Sequence, residues 1–194
     1  MSIADQFLSL IRISRSQHIA RRYFVVNGFD GALTMLGLLT GFYVGGQVAL
    51  PVAISVCLGA AIALGMSGLT SAYISETAER KLELERLEDA MMVDLGESAH
   101  GKAARLMPFL IAFINGSAPF LVALIIIFPL ALGHWYPQLI QQPLETATLL
   151  AFLIIFLLGV FIGRISGRFW LWSGLRTLII AFITILLIYL ISPA

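Results

Sequence analysis

Five apolar stretches, separated by short polar segments, account for most of the chain. They run from about Tyr23 to Val44, Val48 to Tyr73, Leu106 to Leu132, Thr146 to Gly163 and Phe169 to Ile191. About 20 apolar residues cross the hydrocarbon core as a helix, so each stretch predicts a membrane span. Gly45-Gly46-Gln47 reads as a tight turn, and Pro51 suits the first turn of the second helix, where its missing N–H is not needed. Ser75 to Met92 contains neither glycine nor proline, which predicts that the second helix continues beyond the membrane. In the third span, Pro119 within Asn115-Gly-Ser-Ala-Pro119 removes a backbone donor and is expected to kink the helix. The loop from Gly133 to Glu145 carries His134, Trp135, Tyr136, Pro137 and Pro143, the composition of an interfacial aromatic belt with turn residues.

Before the first span, Ile3, Phe7, Leu8, Leu10, Ile11 and Ile13 are interleaved with Arg12, Arg15 and Gln17. The pattern predicts an amphipathic helix on the membrane surface, with a loosely ordered basic tail as the alternative. Asp5 and the arginines interrupt any signal-peptide core. The expected organisation is therefore an amphipathic cytoplasmic segment at 1–22, spans one and two at 23–75, an acidic cytoplasmic helical linker at 76–105, and spans three to five at 106–194.

Composition agrees with an all-α integral membrane protein. Hydrophobic residues make up 59% and charged residues 12%, where soluble domains average about 25% charged. The placement of lysine and arginine says more. Arg12, Arg15, Arg21 and Arg22 precede span one; Arg80, Lys81, Arg86, Lys102 and Arg105 lie between spans two and three; Arg164, Arg168 and Arg176 flank the link between spans four and five. The other connections carry none. The positive-inside rule then puts the N-terminus in the cytoplasm and the C-terminus outside, in a cell membrane, and an odd number of spans is what this needs. A net charge of +1 gives no bulk attraction to nucleic acid. Cys57 has no partner for an internal disulfide and reads as core packing. No HExxH, CxxC, Walker loop, dinucleotide fingerprint or nucleophile elbow is present, so the chain is not expected to be an enzyme.

Three groups could carry chemistry. Asp30 lies about seven residues past Tyr23, roughly 10 Å into span one. An ionisable residue at such depth usually faces a partner, a cavity or an ion. Asn27 and Thr34 are its neighbours, and Asp30, Thr34, Gly37 and Gly41 share one side of the helix; Gly37 and Gly41 would let another helix approach closely. The alternative is a helix-terminal carboxylate paired with Arg21 or Arg22. In span two, Met66, Ser67, Thr70 and Ser71 supply sulfur and hydroxyls; Met66 and Thr70 share a face, and a thioether beside a carboxylate suits a borderline metal such as Fe²⁺, with plain helix packing as the alternative for Met66. In the linker, Glu76, Glu79 and Glu83 line one face and could share a divalent ion. The alternative there is a solvated helix laced with pairs to the interleaved Arg80, Lys81 and Arg86. Gly159-x3-Gly163-x3-Gly167 permits close packing at the end of span four.

The run Asn27-Gly-Phe-Asp30-Gly-Ala-Leu-Thr34 resembles the signature that opens span one in the vacuolar iron transporter family. Ala72-Tyr73-Ile74-Ser75 with Ala78-Glu79 resembles the end of that family's second span; Gly116 with Pro119 its third; Leu158-Gly159 through Gly163-Arg164 and Ser166-Gly167 its fourth; and Ser173-Gly174-Leu175-Arg176 the start of its last. The resemblance implies a five-span homodimer that exports Fe²⁺, and often Mn²⁺, from the cytosol by proton exchange. It implies a pore at the dimer interface between first and second spans, with Asp30 as the span-one aspartate. Met66 lies nearest the family's span-two methionine, and Glu79 is the linker residue that carries over directly. The chain departs from the family at Ser71-Ala72, where Gly-Glu is common, and in its linker of about thirty residues, which replaces a longer insert. Fe²⁺ or Mn²⁺ is thus expected as cargo, with no organic cofactor. The rival readings are a non-transporting scaffold or sensor whose acidic helix binds a partner, and a channel or carrier for another solute.

Overall fold

The computed structural model describes residues 16–46, 48–167 and 169–192. Among the described residues there are five helices: α1 (Ser16–Val44), α2 (Leu50–Met91), α3 (Ala99–Trp135), α4 (Pro143–Ile165) and α5 (Trp170–Ile191). All five are long and apolar enough to cross a membrane, and no strand occurs among the described residues. The amphipathic segment expected over 1–22 lies outside the described residues as far as position 15; from Ser16 the chain is already α1. The expected continuation of the second helix through Ser75 to Met91 is observed. α2 has 42 residues, about 63 Å of helix against a hydrocarbon core of about 30 Å, so its charged second half extends beyond the core. α3 is helical from end to end through Pro108, Pro119 and Pro129. Gly46 (φ +97°) and Gly167 (φ +64°) take left-handed conformations in the connections before α2 and α5, which a side chain would resist. Met92 (φ +51°) does the same just after α2 ends.

The chain divides into two compact units, one holding residues up to Phe24 with Gly65–Ser117, the other holding Val25–Leu64 with Ala118–Ala194. In the second unit, Ala32, Met35, Leu36 and Leu39 of α1 are fully buried, the three- and four-residue spacing of one helix face. They pack with Cys57 and Ala61 of α2, Ala123, Ile126 and Leu130 of α3, Ala147, Ala151 and Ile155 of α4 and Ala181 of α5. Alanines at the crossings let the helices come close where no hydrophobic effect drives them together. Gly31 marks one such crossing, since a Cβ there would lie 2.7 Å from the Pro119 carbonyl oxygen. α4 and α5 form an antiparallel pair in which Gly159 sits against Thr177, and Gly163 against Ser173. Thr177 is buried and its hydroxyl donates to Gly174 O at 2.8 Å and to Ile155 O at 3.1 Å across the pair. Gly159 and Gly163 of the pattern at the end of span four therefore serve packing within one chain, whereas a Cβ on Gly167 would meet nothing within 4 Å.

In the first unit, Gly68 of α2 lies against Asn115 and Gly116 of α3. A Cβ on Gly116 would stand 2.5 Å from Gly65 O and 2.8 Å from Leu69 Cβ. The buried Asn115 amide donates to Gly68 O at 2.6 Å. Ala103, Met107, Ile111 and Ala112 continue the buried face of α3.

Candidate functional site

In the second unit, α1 turns Gly28, Gly31 and Ala32 inward and leaves Asp30 exposed, one position from the buried Gly31. Thr34, half-buried, donates its hydroxyl to Asp30 O at 2.8 Å, the usual way an apolar helix satisfies a threonine. Asn27 is half-buried one turn earlier. Asp30 forms no ion pair among the described residues. Gly37 packs against Ile188 of the same chain, 3.7 Å from where a Cβ would stand, whereas Gly41 is exposed with nothing within 4 Å. The arrangement presents a carboxylate on the open surface of an apolar helix, beside a surface that accepts close approach at Gly41.

The same unit holds a hollow of about 620 Å³ lined in part by Tyr43, Gln141, Gln142 and Glu145. Glu145 stands in the first turn of α4, behind Pro143, and lines this hollow together with Tyr43. Neither residue was singled out in the sequence, where Glu145 is a lone acid at the end of an aromatic loop.

In the first unit, Met66 and Thr70 are exposed on α2, Met66 at 58%. The Thr70 hydroxyl donates to Met66 O at 2.8 Å, so the two do share a face, and Ser67 and Ser71 lie exposed beside them. Further along α2 the three glutamates part company. Glu76 is buried at 3%, while Glu79 and Glu83 are exposed. Arg80 stands between two of them: its Nε lies 3.6 Å from Glu76 Oε2, and its Nη1 donates to Glu83 Oε2 at 3.0 Å. The Tyr23 hydroxyl donates to Glu76 Oε1 at 3.3 Å. A guanidinium thus occupies the place between Glu76 and Glu83 that a shared cation would need. Among the described residues, no three Asp, Glu, His or Cys side chains converge into a metal site. Lys81 and Glu85 form another exposed pair at 3.8 Å, and Arg105 reaches Gly96 O at 2.7 Å and Glu97 at 3.6 Å. Tyr23 was not singled out as a partner of Glu76 in the sequence; the pairing of Arg80 was one of the alternatives read there, and its i, i+4 and i, i+3 spacing from the two acids is the signal for it.

These features define a multi-pass α-helical membrane protein. No family model matches the chain, and no solved structure matches it. An uncharacterized protein of Methanocaldococcus jannaschii is 28% identical over 176 residues, which cover 89% of this chain and 88% of that one.

Proposed function

We propose that the protein exports divalent metal, Fe²⁺ or Mn²⁺, from the cytosol in exchange for protons, as a homodimer in a cell membrane with its N-terminus in the cytoplasm. One observation carries the reading. Asp30 is exposed on a helix apolar enough to span, and the described residues give it no cation to pair with. A bare carboxylate in lipid is disfavoured by roughly 2.5–3.5 kcal/mol on insertion scales, so the position calls for a cover and a counter-charge. A second copy supplies the cover and a transported cation the counter-charge. Gly41 is open for close approach, and on α2 every fourth residue from Ser55 (Gly59, Ala63, Ser67, Ser71) is small and exposed, the surface helices in lipid use to associate. Met66 and Thr70, exposed on the same helix, offer a thioether and a hydroxyl to a borderline ion. The three groups of lysine and arginine support a cytoplasmic side for the acidic helix, where it would stand at the mouth of the path.

Proteoliposomes loaded with a metal-sensitive dye test this. Asp30→Asn, which keeps the shape and removes the charge, is expected to abolish Fe²⁺ and Mn²⁺ uptake and the accompanying proton movement. Normal uptake by the variant would remove Asp30 from the path and the reading with it.

The pairing of Arg80 with Glu76 and Glu83 favours a second reading, in which the helix over 76–91 is an ion-paired surface that binds a partner and transports nothing. Mn²⁺ titration of the protein carrying Glu76→Gln, Glu79→Gln and Glu83→Gln separates the two. A loss of bound metal assigns the glutamates to metal gathering, and unchanged stoichiometry assigns them to the paired surface.

A further inference from the structure

The last 49 residues, 146–194, contain Arg164, Arg168 and Arg176 and not one aspartate or glutamate. Arg176 lies in α5, six residues after Trp170 and so about 9 Å along the helix, as its sole charged residue. It is exposed, and among the described residues neither Arg164 nor Arg176 has a carboxylate or hydrogen-bond partner. A guanidinium always carries its charge, so an unpaired one at the edge of an apolar helix is a ready partner for an external anion. The surroundings are specific. Arg176, Ser173, Trp172 and Phe169 line a hollow of about 330 Å³. It offers a planar fork of donors, a hydroxyl and two aromatic rings. Phe169 and Trp170 lie ring to ring at 6.2 Å, and Trp172 is exposed, a cluster that marks the depth of lipid headgroups. From that depth the arginine side chain can reach a headgroup phosphate while its stem stays in hydrocarbon. The fork matches two phosphate oxygens, and the rings match the glycerol and upper acyl chains beside them.

We propose that the hollow lined by Phe169, Trp172, Ser173 and Arg176 binds the phosphate-bearing headgroup of an anionic phospholipid. The charge complementarity is one-sided, since no acid in this segment competes for Arg176 and a zwitterionic headgroup would bring its own cation beside the guanidinium. The site is independent of any metal carried by the protein.

The test uses the full chain with Trp135→Phe and Trp170→Phe, which leaves Trp172 as its only tryptophan. The protein is placed in nanodiscs of phosphatidylcholine containing a small fraction of either brominated phosphatidylglycerol or brominated phosphatidylcholine, and Trp172 fluorescence is read. An attraction typical of one arginine near the headgroups enriches the anionic lipid about fivefold, so brominated phosphatidylglycerol should quench at a correspondingly lower fraction. Arg176→Gln should erase that difference, and Arg176→Lys should retain part of it because an ammonium still meets phosphate, without the fork. Size-exclusion profiles and far-UV circular dichroism establish that each variant is folded. Equal quenching by the two lipids, or a preference that survives Arg176→Gln, would overturn the proposal. Inorganic phosphate is titrated in the last arm. Relief of quenching by phosphate would make the occupant a soluble anion and also overturn it, whereas quenching unaffected by phosphate supports the lipid.

Discussion

Removing the positive partner of a buried carboxylate is the most severe single change the first unit offers, and Arg80→Met makes it. Glu76 is 3% exposed, with its Oε2 facing Arg80 Nε at 3.6 Å and its Oε1 accepting from Tyr23 at 3.3 Å. Methionine replaces the stem of Arg80 and deletes the charge. Glu76 then keeps the Tyr23 hydroxyl and loses its counter-ion. Breaking a fully buried pair costs about 3–5 kcal/mol. The Arg80 side chain is 13% exposed and also holds Glu83, which is 65% exposed, so the expected loss is at the low end, about 3 kcal/mol. Glu76→Gln removes the opposite charge and leaves Arg80 with Glu83. Its expected cost is about 1 kcal/mol, that of a weakened hydrogen-bonded site. In the double variant the buried carboxylate is gone, so Arg80→Met should cost less there than alone, by roughly 1–2 kcal/mol of coupling. The assay is denaturation in mild micelles by increasing mole fractions of dodecyl sulfate, followed by far-UV circular dichroism. A thermal melt gives a second reading, where about 3 kcal/mol corresponds to a fall of roughly 6–12 °C for a chain of this size. If Arg80→Met melts with the unaltered protein, or if the two costs simply add, Glu76 is not held as a buried pair.

The other predictions test packing. Gly116→Leu drives a side chain into Gly65 O and Leu69, where even a Cβ would be 2.5 and 2.8 Å away, and should destabilise the folded chain by about 1–3 kcal/mol; Gly41→Leu meets nothing in its own chain and should leave the melt unchanged while weakening self-association in native mass spectrometry. Asn115→Leu deletes the 2.6 Å bond to Gly68 O and should cost about 1–2 kcal/mol in the same dodecyl sulfate titration, with no cost refuting the clamp. Cys57 is fully buried, so a thiol-reactive dye should label the folded protein only as it opens, and rapid labelling of native protein in micelles would contradict the core that holds it.

The helices were legible because length and apolarity decide what can span a bilayer, and each expected span lies within an observed helix to within a few residues at its ends. The extension of α2 was legible for a different reason, the absence of any breaker from Ser75 to Met92. Glu76 was less legible. It reads as one of three equivalent acids, but Gly68, Ala72 and Glu76 recur every fourth residue on the α2 face that packs inward, and that face carries Glu76 into burial while Glu79 and Glu83 stay in water. The glycine ladders were ambiguous because the same spacing serves contacts within a chain and between chains. Gly159 and Gly163 proved to pack on α5 of their own chain, while Gly41 faces nothing. The exposure of Asp30 was beyond the sequence, since one position around the helix separates it from the buried Gly31.

The two units divide the carboxylates by what balances them. Glu76 is matched inside its own chain by Arg80, and a cation arriving there would have to displace a covalently tethered competitor held at 3.0 Å by Glu83 as well. Asp30 has no such rival among the described residues. The carboxylate that the iron-transporter resemblance expects near the end of span two is absent, since Ala72 occupies that place and is buried. Among the described residues, Asp30 brings one unmatched negative charge to the exposed surface of α1, half of what a divalent cation requires. On the proposed reading the second half comes from Asp30 of a second copy, so metal binding and dimerisation are one requirement and not two. On that reading the same pair would also account for proton exchange. Two facing carboxylates in a site shielded from water cannot both stay bare when the metal leaves, and protons taken from the far side are the smallest cations that can replace it. A monomeric protein would break both halves of that argument together.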